Sequence, residues 1–86
     1  MYNLYLEHRA EKDIRKLPSI HLPTIISKIK NLSENPKPKG CKKLVQSKDY
    51  WRIRVGNYRI IYDIVESSKI IRIYKIQHRK DVYKGQ

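Results

Sequence analysis

Between Tyr50 and Tyr62 the chain reads YWRIRVGNYRIIY, and the Gly56-Asn57 pair at its centre restricts the possible fold more than any other feature. Glycine at the first central position of a two-residue turn suits type II′, whose twist matches that of the strands it joins. The stretch therefore predicts a hairpin in which Val55 pairs with Tyr58 and Arg54 lies directly across from Arg59. On one face Trp51, Ile53 and Val55 meet Tyr62, Ile60 and Tyr58, an apolar set suited to lie beneath helices. The other face carries Tyr50, Arg52, Arg54, Arg59, Ile61 and Asp63. Like charges directly opposite one another destabilise a sheet. An anion held between Arg54 and Arg59 would turn that repulsion into a clamp, and phosphate has the matching geometry. A solvated face on which arginine stems cover Ile61 is the plainer reading. It suffices for one arginine and is weaker for three.

The remainder reads as one small α+β domain spanning residues 1–86. Residues 2–7 alternate Tyr2, Leu4 and Leu6 against Asn3, Tyr5 and Glu7, as a strand with one buried face does. Ala10, Ile14 and Leu17 then follow a helical stripe that Pro18 ends. Leu22, Ile25, Ile26, Ile29 and Leu32 form a second stripe, with Ser19 as a possible N-cap and Pro23 in the first turn. SENPKPKG, residues 33–40, is a loop. Three strands follow at about 50–55, 58–65 and 69–77, the last two joined by ESSK. The predicted order is β-α-α-β-β-β, with the helix pair on one face of a largely antiparallel sheet. A chain of 86 residues buries only roughly 60–65% of its unfolded surface, too little for two cores.

Charge narrows the class of partner. The chain holds 20 Lys+Arg against 8 Asp+Glu, a net +12. Residues 1–36 account for +2 of this and residues 37–86 for +10. A basic half built around a hairpin is the footprint of a phosphate-backbone binder. Membrane attachment is disfavoured, because no apolar run approaches the roughly 20 residues of a span. Cys41 is the sole cysteine, which excludes an internal disulfide and any cysteine-based zinc site. No metal and no cofactor is expected. MYNLYLEHRAEKD lacks the apolar segment of a signal peptide, so a cytoplasmic protein is expected.

A second cluster lies in IQHRKDVY. If the last strand runs beside the second strand of the hairpin, its end can return His78, Arg79 and Tyr83 to the cationic face. His78, with an unperturbed pKa of about 6.5, suits general acid or base work. Tyr83 can stack on a base or anchor the tail. Lys42, Lys43, Lys48 and Lys80 join Arg52 and Arg54 as expected nucleic-acid contacts.

KLVQSKDYWRIRVGNYRIIYDIV followed by IRIYKIQHRKDVY resembles the RelE/ParE toxin superfamily, and its final Arg and Tyr point to the RelE branch. The resemblance implies a type II toxin that enters the ribosomal A site and cleaves mRNA by metal-free attack of a 2′-OH. It also implies a cognate antitoxin, here an acidic segment, that neutralises the toxin in a hetero-oligomer. By position Arg52 and Arg54 match the basic residues of the family's catalytic strand. Arg59 matches the arginine of the next strand, and Arg79 and Tyr83 match the C-terminal pair. Where the RelE prototype has a lysine proposed as general base, this chain has Arg54, a poor proton acceptor at neutral pH. Either His78 takes the proton, or the ribosome aligns the 2′-OH and electrostatics suffice. A ParE-like inhibitor of DNA gyrase, with the same fold and no nuclease chemistry, is the alternative.

Overall fold

A computed structural model of the chain describes residues 1–44 and 49–80. Its order is β1 (Asn3–Leu6), α1 (His8–Lys16), α2 (Leu22–Leu32), β2 (Lys42–Lys43), β3 (Tyr50–Val55), β4 (Tyr58–Val65) and β5 (Ile70–His78). The strands form one sheet in the order β1-β5-β4-β3-β2. Only β1 runs parallel to its neighbour, β5; the other pairs are antiparallel. The α+β class, the helix pair on one face and the four longer strands follow the sequence reading. β2 is an addition, a two-residue strand of lysines along the edge of β3.

Local chemistry explains the boundaries. Helix α1 has Glu11 in its first turn and Arg15 and Lys16 in its last, charges that complement the helix dipole. Leu17 is extended, as a residue before proline tends to be. In α2 Pro23 sits in the first turn, as expected, but the cap position belongs to His21 rather than Ser19. The stripe is read correctly, since Ile25, Ile29 and Leu32 are buried. In the hairpin turn Gly56 has φ +59° while Asn57 keeps an ordinary negative φ, the type II′ pattern.

The core is a single cluster on the helix side of the sheet. Ala10, Ile25, Ile29 and Leu32 meet Ile53, Val55, Ile60, Tyr62, Ile71, Ile73 and Ile76. Tyr62 is fully buried, and its hydroxyl donates to the Pro36 carbonyl at 2.7 Å, which ties the 33–40 loop to the sheet. Burial pushes the pKa of this phenol well above its ordinary value.

Strand β5 carries one irregularity that decides which residues face the helices. Ile61 pairs with Lys75 whereas Tyr62 pairs with Ile73, so Tyr74 is an extra, unpaired residue. Strict alternation from Ile71 and Ile73 would point Lys75 at the helices and Ile76 away. The bulge reverses this phase, and Ile76 is buried with Ile71 and Ile73. Asp13 of α1 fixes the arrangement: its Oδ2 accepts the backbone N–H of Ile76 at 2.9 Å.

Removing the acceptor should expose that dependence. Asp13→Ala leaves a part-buried N–H without its partner and is expected to cost about 1–3 kcal/mol in chemical denaturation. Asp13→Asn retains a carbonyl acceptor and should lose less; equal losses in the two variants would show that the hydrogen bond is not what holds the bulge.

Candidate functional site

The face away from the helices is built in rows across the strands. In one row Lys42 of β2, Arg52 of β3, Ile61 of β4 and Lys75 of β5 are successive cross-strand partners. In the next, toward the hairpin turn, Arg54 pairs with Arg59 and Arg59 with Gln77. The preceding row runs Tyr50, Asp63, Arg72 and Tyr5. Each position follows from the period of two in these strands together with the bulge on β5.

This face is anchored as well as charged. Ile61 lies outside the helix-side cluster and yet is only 1% exposed. Its cross-strand partners are Arg52 and Lys75, whose aliphatic stems are long enough to cover it while the charged ends stay in solvent. Asp63 is buried and makes a two-pronged ion pair with Arg72, with Arg72 Nε donating to Oδ1 at 3.0 Å and Nη2 to Oδ2. That contact raises the Arg72 pKa above its usual value and keeps this guanidinium occupied.

The expected opposition of Arg54 and Arg59 is present. Val55 and Tyr58 close the hairpin, which makes the Arg54/Arg59 pair the next rung, and opposite Cβ atoms there stand about 4.5–5.5 Å apart. Arg54 is exposed and Arg59 half-buried. Arg79 is brought to the same end of the sheet, because its backbone N–H donates to the carbonyl of Asn57 in the hairpin turn at 2.8 Å. Lys42, Arg52, Arg54 and Arg59 thus share one face, and Arg79 stands at its turn end.

Two expected members do not join them. Lys43 pairs with Trp51, whose side of the sheet is the helix side. Its ammonium and that of Lys37 lie 5.6 and 4.8 Å from the centre of the indole ring. His78, opposite Tyr58, also falls on the helix side, because the bulge shifts the phase of β5. Its ring meets Tyr58 edge-on at 5.1 Å, and His21 approaches the same tyrosine at 5.4 Å. The Lys80 backbone N–H donates to His78 Nδ1 at 3.1 Å. In a neutral His78 making that bond the ring hydrogen is on Nε2, which is then a hydrogen-bond donor. Lys80 is exposed just beyond it. Lys48 and Tyr83 lie outside the described residues.

Lys75 was not among the residues expected here, although it is central to the row. The sequence does carry a signal for it: in IIRIYKIQH the isoleucines fall at 71, 73 and 76, a break in period two that marks a bulge.

Comparison with known proteins gives this architecture a family. A model of the ParE toxin of the parDE type II toxin-antitoxin system matches residues 4–83. RelE1 of Methanocaldococcus jannaschii, a protein named as a toxin, is 34% identical over 98% of this chain and 97% of its own length. RelE in the archaeal RelE-RelB complex of Pyrococcus horikoshii has a TM-score of 0.79 at 28% identity, over 91% of this chain and 94% of that one. The isolated RelE toxin of E. coli also gives 0.79, at 25% identity over 99% and 94%. The chain belongs to the RelE/ParE superfamily of type II toxins. Within it, the chain is RelE-like.

The Arg54/Arg59 rung should cost stability when nothing is bound. Arg54→Gln is expected to stabilise the isolated protein by about 0.2–1 kcal/mol at low ionic strength, with the gain shrinking as salt is added. Equilibrium unfolding at two salt concentrations tests this, and a salt-independent loss would contradict it.

Proposed function

We propose that this RelE-like toxin is a ribosome-dependent mRNA endonuclease that inhibits translation by cleaving messages in the A site. The single observation that carries the reading is the Arg54/Arg59 rung, flanked by Lys42, Arg52 and Lys75 on an open sheet face. Between these guanidinium groups a phosphodiester is held on two sides, and the negative charge that grows in a pentacoordinate phosphorane meets donors already in place. The 2′-oxygen forms a bond to phosphorus, the bond to the 5′-oxygen breaks, and that oxygen takes a proton from solvent or a ribosomal group, leaving a 2′,3′-cyclic phosphate and a 5′-hydroxyl. Arg59 and Arg54 serve the phosphate, Arg52 and Lys42 hold the adjoining backbone, and Arg79 stands near the hairpin turn to stabilise the leaving oxygen. Tyr83 orients the nucleotide by stacking.

Among the described residues the 2′-OH proton has no evident acceptor on the cationic face. Arg54 is a guanidinium, and His78 lies across the sheet with Nδ1 occupied by the Lys80 N–H. The reading therefore favours alignment of the 2′-OH by the ribosome, with proton loss to solvent or to a ribosomal group, over a strong protein base.

The partner follows from charge. A net +12 calls for an acidic antitoxin segment, partly disordered when free, that folds over the basic face and joins the toxin in a hetero-oligomer. Similar chains from Pyrococcus horikoshii and Mycobacterium tuberculosis occur in complexes with RelB or in a RelBE2 toxin-antitoxin complex. A cytoplasmic location suits both partners, and no helix among the described residues is long and apolar enough to cross a membrane. The match to a ParE family model favours a second reading, inhibition of DNA gyrase by binding alone.

Controlled expression in a bacterium with mapping of mRNA 5′ ends separates them. Codon-phased cleavage should appear with the wild type and fall about 100- to 1,000-fold with Arg59→Ala, the usual effect of losing a transition-state donor. His78→Phe keeps a ring against Tyr58 and removes both nitrogens; it should retain cleavage within about tenfold, whereas a loss matching that of Arg59→Ala would restore His78 to the chemistry. Intact messages with DNA damage would favour gyrase.

A further inference from the structure

Beside the arginine rows the same face carries an aromatic pair that phosphate binding does not use. Tyr50 of β3 and Tyr74 of β5 are stacked, with ring centres 5.2 Å apart and planes inclined by 30°. Tyr74 is the extra residue of the bulge, and it is 40% exposed on a polar face although the core is complete on the other side. Tyr74 faces outward by ordinary alternation from Ile71 and Ile73, and the bulge turns Lys75 outward directly beside it. Glu7, Asp63 and Arg72 join the two tyrosines around a recess of about 170 Å³. The Asp63–Arg72 ion pair stiffens its floor.

We propose that Tyr74, backed by Tyr50, is a stacking platform for a nucleobase of the bound RNA, one or two nucleotides from the phosphate at Arg54 and Arg59. The proposal rests on the RNA reading above. Along β3, Tyr50 precedes Arg52 by two residues and Arg54 by four, about 7 and 13 Å at the rise of a strand. Those spans match one and two repeats of an extended single strand. The Lys75 ammonium lies 5.6 Å from the Tyr74 ring centre. An exposed cation–π contact of this kind is weaker than base stacking, so a base displaces it and frees the ammonium for the neighbouring phosphate. Glu7 supplies an acceptor at the rim for an exocyclic amino group and disfavours phosphate there, which keeps base and backbone in separate subsites.

The test uses the full chain and a single-stranded hexaribonucleotide carrying 2-aminopurine, with a 2′-deoxy linkage at its centre to prevent cleavage. Tyr74→Ala should weaken binding about 5- to 100-fold, with an unchanged salt slope and reduced quenching of the 2-aminopurine. Tyr74→Phe should match the wild type, and an oligomer with abasic sites should bind wild type and Tyr74→Ala equally. Arg59→Ala should instead lower both the affinity and the salt slope. If Tyr74→Ala binds the hexamer as tightly as the wild type while Arg59→Ala does not, the platform is wrong and the RNA reading stands. If Tyr74→Ala loses affinity only for an acidic peptide, the platform is a protein contact and the proposal fails. No binding of any oligomer by the wild type would overturn the platform, while the RNA reading stands or falls separately on the mapping of mRNA 5′ ends.

Discussion

The offset between β4 and β5, held by the hydrogen bond from the Ile76 N–H to Asp13, sorts the side chains of β5 between the two sides of the sheet. Ile71 and Ile73 face the helices by ordinary alternation, and the bulge keeps Ile76 with them. The same shift moves Lys75 to the cationic face, beside a Tyr74 already there by alternation, and His78 to the helix side. A buried isoleucine contributes about 1.5–3 kcal/mol, so leaving Ile76 on the wet face would cost more than a bulge whose backbone donor is satisfied. The core therefore dictates the bulge, and the bulge dictates which groups line the cationic face.

Electrostatics sets the complementary constraint. Two like charges about 4 Å apart repel by about 1 kcal/mol in water, which bounds the cost of the Arg54/Arg59 rung, and a net +12 adds a diffuse penalty. Against this stand a cluster of eleven buried residues and the buried Ile61 on the opposite face. Burial of one isoleucine outweighs one such rung, which is how a small domain tolerates charge placed for binding. Asp63 works in the other direction, since it occupies Arg72 and so limits the cationic stretch to the rows of Arg52 and Arg54.

The hairpin could be read from sequence because turn chemistry and alternation agree there: Gly56 fixes the turn, the turn fixes the register, and every pair from Tyr50/Asp63 to Val55/Tyr58 follows. The helical stripes were legible for the same reason. Lys43, Lys75 and His78 were not, and each failure has a cause. The two-residue β2 is too short to show alternation, so Lys42 and Lys43 looked equivalent although a strand must send them to opposite faces. One inserted residue on β5 inverts the faces of everything after it, which exchanged Lys75 with His78. The carboxylate that steadies this inversion, Asp13, lies on a helix 63 residues away in sequence, beyond the reach of local pattern.

The openness of the arginine face bears on the proposed dependence on the ribosome. Arg54 is exposed and its neighbours half-exposed, so a phosphate bound there in isolation remains in water. A charge pair at 4 Å is worth about 1 kcal/mol in bulk water and about 4 kcal/mol at an effective dielectric near 20. Arg54 is exposed and Arg52 and Lys75 only partly covered, so the described part of this face does little by itself to lower the dielectric. A larger surface closing over the bound strand would exclude water, strengthen each guanidinium contact and align the 2′-OH in the same event. Under the proposed reading, the base and the enclosure not found among the described residues have one source, a surface that arrives with the substrate.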